Sequence, residues 1–240
     1  MKIAVISDIH ANMPALEAVL AAIESERVDS IICGGDLVGY NAEPRQVVER
    51  IRALNIPCVM GNHDAAVAGL TDPELFNAPA RAAVEWTMRQ LDDDALEYLR
   101  GLPYVTRIES FTLVHGTLHN PEQWGYIFNA YEAEEHFGHQ RDTLCFIGHS
   151  HIPGVFIAGD MITLSRGSRV RIQAGQRYVV NVGSVGQPRD NNPAASYVVY
   201  DMVENVIHFR RAPYDVRATQ QKILDAGLPN VLAMRLGLGK

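Results

Sequence analysis

Five of the nine histidines fall in short polar motifs, each of which follows an apolar run. Asp8-Ile9-His10 follows KIAVIS, and Asp36 closes DSIICGGD. Asn62, His63 and Asp64 come after IPCVMG, His115 lies in FTLVHG, and His149 and His151 lie in TLCFIGHSH. Alternation in an extended chain puts residues two apart on one side, so Asp8 and His10 are expected to converge on one ion, and the two His of GHSH have the same spacing. Each motif alone also suits a bland role. A strand-end Asp caps the following helix, and a lone His such as His115 serves as hydrogen-bonded structure. Taken together they form one donor set of carboxylate, imidazole and amide oxygen without thiolate. That mixture suits manganese, iron, zinc, cobalt or nickel better than calcium or an iron–sulfur cluster. Seven ligands are too many for a single tetrahedral zinc. A carboxylate can bridge two ions, and two divalent ions about 3.5–4 Å apart are suited to in-line attack at phosphorus. For His63, chemistry, metal binding and a place in a turn all remain open from these residues alone.

The elements that must position these residues follow from periodicity. KIAVIS (2–7) is a β-rich run, and Asn12 stands where it would cap a helix carrying Leu16, Val19, Leu20 and Ile23 at helical spacing. DSIICGGD (29–36), a helix in 43–54 and the run IPCVM (56–60) continue the alternation, which implies βαβ units and a parallel sheet. Residues 77–100 read as a helical insert, with Asp92, Asp93 and Asp94 at a helix N-terminus. From residue 103 onward short strand-like runs dominate, and AGD between FI and MITL suggests a hairpin. That makes the second half antiparallel or mixed, with a closing helix in 213–227. The chain has no linker or repeat, so residues 1–240 read as one α/β domain of two stacked sheets with helices outside. Ligands gather beyond the carboxyl ends of strands in such sheets. Gly35, Gly61, Gly116 and Gly148 beside the motifs let backbone approach a crowded site.

Composition excludes several classes. With 47% hydrophobic and 20% charged residues the chain is ordinary globular material, and no apolar run is long enough to cross a membrane. MKIAVISDIH reads as a first strand and not as a targeting segment. The net charge of −7, without a basic run, argues against capture of long nucleic acid. Cys33, Cys58 and Cys145 are odd in number and far apart, and read as buried reduced thiols of a cytoplasmic protein.

The ordered set D-x-H, GD, GNHD, H and GHxH, from residue 8 to residue 151, resembles the calcineurin-like metallophosphoesterase superfamily. NVGSVGQPR (181–189) resembles a segment of its small bacterial and archaeal phosphodiesterase-like branch. The resemblance implies a four-layer αββα sandwich of two mixed sheets with a two-metal centre. Asp8, His10 and His151 would bind one ion, Asn62, His115 and His149 the other, and Asp36 would bridge them. A hydroxide held between the metals would attack phosphorus. His63 matches the position that assists the leaving oxygen rather than a ligand, with Asp64 able to orient its imidazole. The implied substrate is a small phosphate ester, a phosphodiester or nucleotide type ahead of a phosphoprotein, because GDLVGYNAEP lacks the GDxxDRG pattern of protein phosphatases. His63 keeps monoester hydrolysis open, and a homo-oligomer is compatible with the sequence. A retromer subunit in the superfamily is a non-catalytic scaffold, which is the alternative reading. Tyr40, Asn41 and Arg189 are candidate substrate contacts. Trp124, Tyr126 and Phe128 suit either base stacking or a core-facing strand. His119, His136, His139 and His208 are assigned structural places.

Overall fold

Near-continuous apolar strands need cover on both faces, and the computed structural model, which describes residues 1–240, shows how they obtain it. One sheet contains β1 (Lys2–Ile6), β2 (Ser30–Cys33), β8 (Arg169–Arg171), β10 (Ala195–Asp201) and β11 (Val206–Ala212), in the order β2-β1-β10-β11-β8. The other contains β3 (Val105–Ile108), β4 (Phe111–Val114), β5 (Leu144–Ile147), β6 (Gly154–Ala158), β7 (Ile162–Ser165) and β9 (Arg177–Asn181), in the order β3-β4-β5-β9-β6-β7. Both sheets are mixed. The pairs β1–β2, β4–β5 and β5–β9 are parallel, and the remaining pairs are antiparallel.

Alternation sorts the side chains into layers. Ile3, Val5, Phe111, Leu113, Leu144 and Phe146 pack between the sheets. Ala4 and Ile6 turn outward onto α1 (Met13–Glu26), α2 (Pro44–Leu54) and α5 (Asp93–Arg100). Val114, Cys145 and Ile147 turn outward beneath α6 (Ala130–His139). The result is helix, sheet, sheet, helix, the expected αββα sandwich. All three cysteines are buried and free, and no helix is long and apolar enough to cross a membrane.

Local signals explain most helix starts. The Asn12 side chain accepts from the Ala15 amide, and the Asp92 side chain accepts from the Ala95 amide. The expected insert resolves into α4 (Ala78–Met88) and α5. Four expectations change. IPCVM makes a single bridge, Cys58 to Cys33, because Pro57 has no N–H to continue a ladder. The segment 124–128 is not a strand. It leads into the unanticipated α6, whose start is a capping box of Asn129 and Glu132. The closing helix α7 (Val216–Asp225) is followed by α8 (Asn230–Leu238), and the pair packs on α4 and Tyr40 through Ile223, Leu232 and Leu236.

Candidate metal centre

All seven candidate ligands leave the ends of strands or begin the helix α3 (Asn62–Val67), and all lie on the same side of the sandwich. Asp8 and His10 follow β1, Asp36 follows β2, His115 follows β4, and His149 and His151 follow β5. Two donor groups result. Asp8, His10, Asp36 and His151 form one, and Asp36, His115 and His149 form the other, with ligand atoms in each group within 4.8 Å of one another. Asp36 belongs to both. Asn62 begins α3 within the same loop cluster, and its Oδ1 is buried without a partner.

The route to convergence differs from the sequence expectation. Asp8 and His10 do not share a side through strand alternation. Asp8, His10, Asp36, His149 and His151 all adopt left-handed backbone, with φ between 50° and 65°. Each such residue costs about 1 kcal/mol or more, although Asp and His tolerate the region better than most. Close packing maintains the turns. A Cβ on Gly148 would stand 2.2 Å from Asp8 Oδ2 and from Ser7 Oγ, so only glycine permits that approach.

Backbone carbonyls fix the imidazoles. His10 Nδ1 lies 2.9 Å from Val38 O, His115 Nδ1 lies 2.7 Å from Gly34 O, and His151 Nδ1 lies 2.6 Å from Gln187 O. A carbonyl only accepts, so each Nδ1 carries a proton; Nε2 of His10 and of His151 then turns its lone pair inward, while Nε2 of His115 faces the Asp36 carboxylate. This is how metal-binding histidines are oriented. His10 Nε2 and His151 Nε2 stand 3.2 Å apart. Two lone pairs held that close call for a cation between or beside them. Asp8 Oδ1 is 3.2 Å from His151 Nε2, and Asp36 Oδ2 is 3.5 Å from His10 Nε2 and 3.3 Å from His115 Nε2.

The charges point the same way. Burial lowers His10, His149 and His151 below the ordinary histidine range, leaving neutral rings that can coordinate. Burial opposes ionisation of Asp8 and Asp36, but the surrounding imidazoles outweigh it and keep both carboxyls well below their usual range. Burial also opposes charge on His115, yet the facing Asp36 and Asp8 raise it to about 10. Two buried carboxylates thus hold one imidazolium proton where a more highly charged cation fits. The donor set, the converging lone pairs and the unpartnered Asn62 Oδ1 and His149 Nε2 together fit divalent metal.

His63 is buried beside the cluster. Its amide donates to Asp36 Oδ1 at 2.8 Å, its ring centroid lies 4.8 Å from that of His10, and its Nδ1 has no partner. The expected contact with Asp64 is not made. Asp64 accepts from the amides of Leu37, Val38 and Gly61 instead, which ties the GD and GNHD loops together. Tyr40 packs 4.4 Å from the His63 ring. Asn41 braces the His10 carbonyl at 2.7 Å and does not line the neighbouring cavity. Arg189 Nη2 is engaged by Gln187 Oε1 at 2.8 Å and Tyr40 Oη at 3.2 Å, and Asp190 pairs with Arg211.

The NVGSVGQPR segment has a different task. Ser184 Oγ donates to Asp8 O at 2.8 Å, Asn181 Nδ2 donates to Gly148 O at 2.6 Å, and Gln187 O holds His151. These braces, with the carbonyls of Gly34 and Val38, were missed from sequence because a main-chain acceptor leaves no side-chain signature. Tyr126 stacks on His149 at 3.8 Å between ring centroids.

This geometry agrees with the comparisons. The chain belongs to the calcineurin-like phosphoesterase superfamily, whose domain matches residues 1–205. A metallophosphoesterase from Sphaerobacter thermophilus, known from its crystal structure, is 40% identical and superposes with a TM-score of 0.89, covering 100% of this chain and 99% of that one. An uncharacterized protein of Methanocaldococcus jannaschii is 38% identical over 242 residues, 99% of this chain and 98% of its own length. Phosphodiesterase YfcE of Escherichia coli is 26% identical over 215 residues, 85% and 88% of the two chains. The chain is accordingly a metal-dependent phosphoesterase, a hydrolase.

Proposed function

We propose that the chain is a binuclear phosphoesterase acting on phosphodiester or nucleotide-type bonds. The observation that carries this reading is the double donor cluster sharing Asp36. In it Asp8, His10 and His151 would hold one ion, Asn62, His115 and His149 the other, and Asp36 would bridge. Bound divalent ions supply Lewis acidity, which lowers the pKa of water and neutralises charge on a phosphoryl group; manganese, iron, zinc, cobalt and nickel all match the donors. The protein's part is orientation. The carbonyls of Val38 and Gln187 hold His10 and His151 for one ion, and the carbonyl of Gly34 holds His115 for the other. His63 lines a cavity with Asn62 and His149, where it can donate a hydrogen bond to the leaving oxygen. Burial pushes His63 down to about 4, which makes it a neutral imidazole until an anionic substrate lies beside it. Asp64 sets the loop that carries His63 and does not act on its ring.

Two variants test the roles. His63→Ala is expected to keep its metal content and lose about 10²–10⁴-fold in turnover of a chromogenic diester. Asp36→Ala is expected to lose metal by elemental analysis. Full turnover in metal-loaded His63→Ala would remove His63 from the mechanism. Absence of hydrolysis with every divalent ion would instead favour a non-catalytic scaffold on this fold.

A further inference from the structure

A cavity of ≈ 250 Å³ opens beside the metal centre, and His63, Asn62 and His149 form its inner wall. None of its twelve lining residues is Asp, Glu, Lys or Arg. Away from Asn62 and His149, the residues that would hold an ion, a group seated there is therefore uncharged, since a charged ester arm would meet no counter-charge on the remaining walls. Four of the lining residues are aromatic: Tyr40, Phe76, Trp124 and Tyr126. Flat walls of this kind select a flat ligand.

The cavity also has polar atoms to spare. Trp124 Nε1 is buried without a partner, and a buried indole N–H normally has one. The Asn77 Oδ1 caps α4 through the Ala80 amide, which leaves its NH2 group as a donor. These walls are fixed in place. Tyr126 is stacked with His149 at 3.8 Å and with Phe128 at 5.1 Å. Trp124 is held at φ 57°, a conformation that an aromatic residue adopts at a cost. Its turn lies against the segment leaving His115, where a Cβ on Gly116 would come within 2.8 Å of Gly125 O. The HGTLHNPEQWG stretch thus links a candidate metal ligand to the cavity wall.

We propose that this cavity seats a heterocyclic base that accepts a hydrogen bond from Trp124 Nε1, so that the substrate is a nucleotide or nucleoside phosphoester. The proposal rests on the phosphoesterase reading for the phosphate and on the cavity alone for the base. A plain phenyl ester matches the flat walls but leaves the indole N–H unpaired. A bare sugar phosphate matches neither.

Calorimetric titration of the manganese-loaded protein with adenosine 5′-monophosphate and with ribose 5-phosphate, in which an anomeric hydroxyl stands in place of the base, tests the seat for the base. Binding of the nucleotide is expected to be roughly tenfold tighter or more. Trp124→Phe, which keeps the ring and removes the donor, is expected to lose most of that ratio, and Phe76→Leu tests the opposite wall should the first variant misfold. Equal affinities for the two probes, no binding of either, or a ratio unchanged in both variants overturns the proposal. Diester hydrolysis is scored separately, so a protein that discriminates the base but hydrolyses nothing refutes the enzymatic reading and keeps the base seat.

Discussion

His10 and His151 present lone pairs to each other across 3.2 Å, an arrangement that only strained turns can impose. The clustered Asp and His candidates stand out in the sequence, because carboxylate and imidazole at strand ends have few other uses in such numbers, whereas Asn62 enters through the family resemblance. Their conformations could not be read there. Alternation suggested an extended Asp8-Ile9-His10, whereas both residues are left-handed and the turn is closed by contacts from residues 148 and 184–187. Long-range closure of that kind has no local signal. It makes a specific prediction at Gly148. In Gly148→Ala the new methyl group would compete with the Asp8 carboxylate and Ser7 Oγ for the same space. The variant is expected to fold and to bind manganese at least about tenfold more weakly by calorimetric titration, since Asp8 must give up its position. Wild-type affinity would show that Asp8 is not set by this approach.

At the scale of elements, α6 was missed and its neighbours were found. Helices α4 and α5 carry enough apolar residues at helical spacing to be legible. α6 buries only Ala133, His136 and Phe137, too thin a stripe for periodicity to find, although its Asn129–Glu132 capping box was present to be read. His136 anchors this helix by accepting the Leu118 amide at 3.2 Å, which ties α6 to the loop beyond His115. Burial pushes His136 down to about 3, with His139 adding to the shift. The folded state therefore resists a proton that the unfolded chain takes up near pH 6.5. The contribution of a neutral His136 is complete above that pH and is lost as the pH falls toward 3. Between pH 6.5 and 5 this one group is expected to remove about 1.5 kcal/mol of unfolding free energy. His136→Gln, uncharged and still able to accept from Leu118, is expected to lose that share of the pH dependence in urea titrations. Parallel slopes for the two proteins would place the proton elsewhere.

For the whole molecule, the metal centre lies on the seam between the two sheets. Asp8, His10 and Asp36 extend from one sheet, and His115, His149 and His151 extend from the other. The sequence announced two sheets and a site beyond their strand ends, but nothing local disclosed that each half of the donor set belongs to a different sheet. Closing the centre therefore joins the sheets as well as preparing the chemistry. An ion that binds only the folded state stabilises it by mass action, by about 2.7 kcal/mol at a hundred times its dissociation constant. For a chain of this size that amounts to a rise of roughly 5–10 °C in Tm. Manganese is expected to produce such a rise in the metal-stripped wild type, a chelator to reverse it, and Asp36→Ala to abolish it, because that carboxylate belongs to both donor groups. Removing the indole donor with Trp124→Phe leaves the seam intact and is expected to preserve the shift. If metal content reached saturation while Tm stayed fixed, the ions would have to bind the unfolded chain as tightly as the folded one, contrary to a centre that the folded chain assembles by placing Asp36 between His10 and His115.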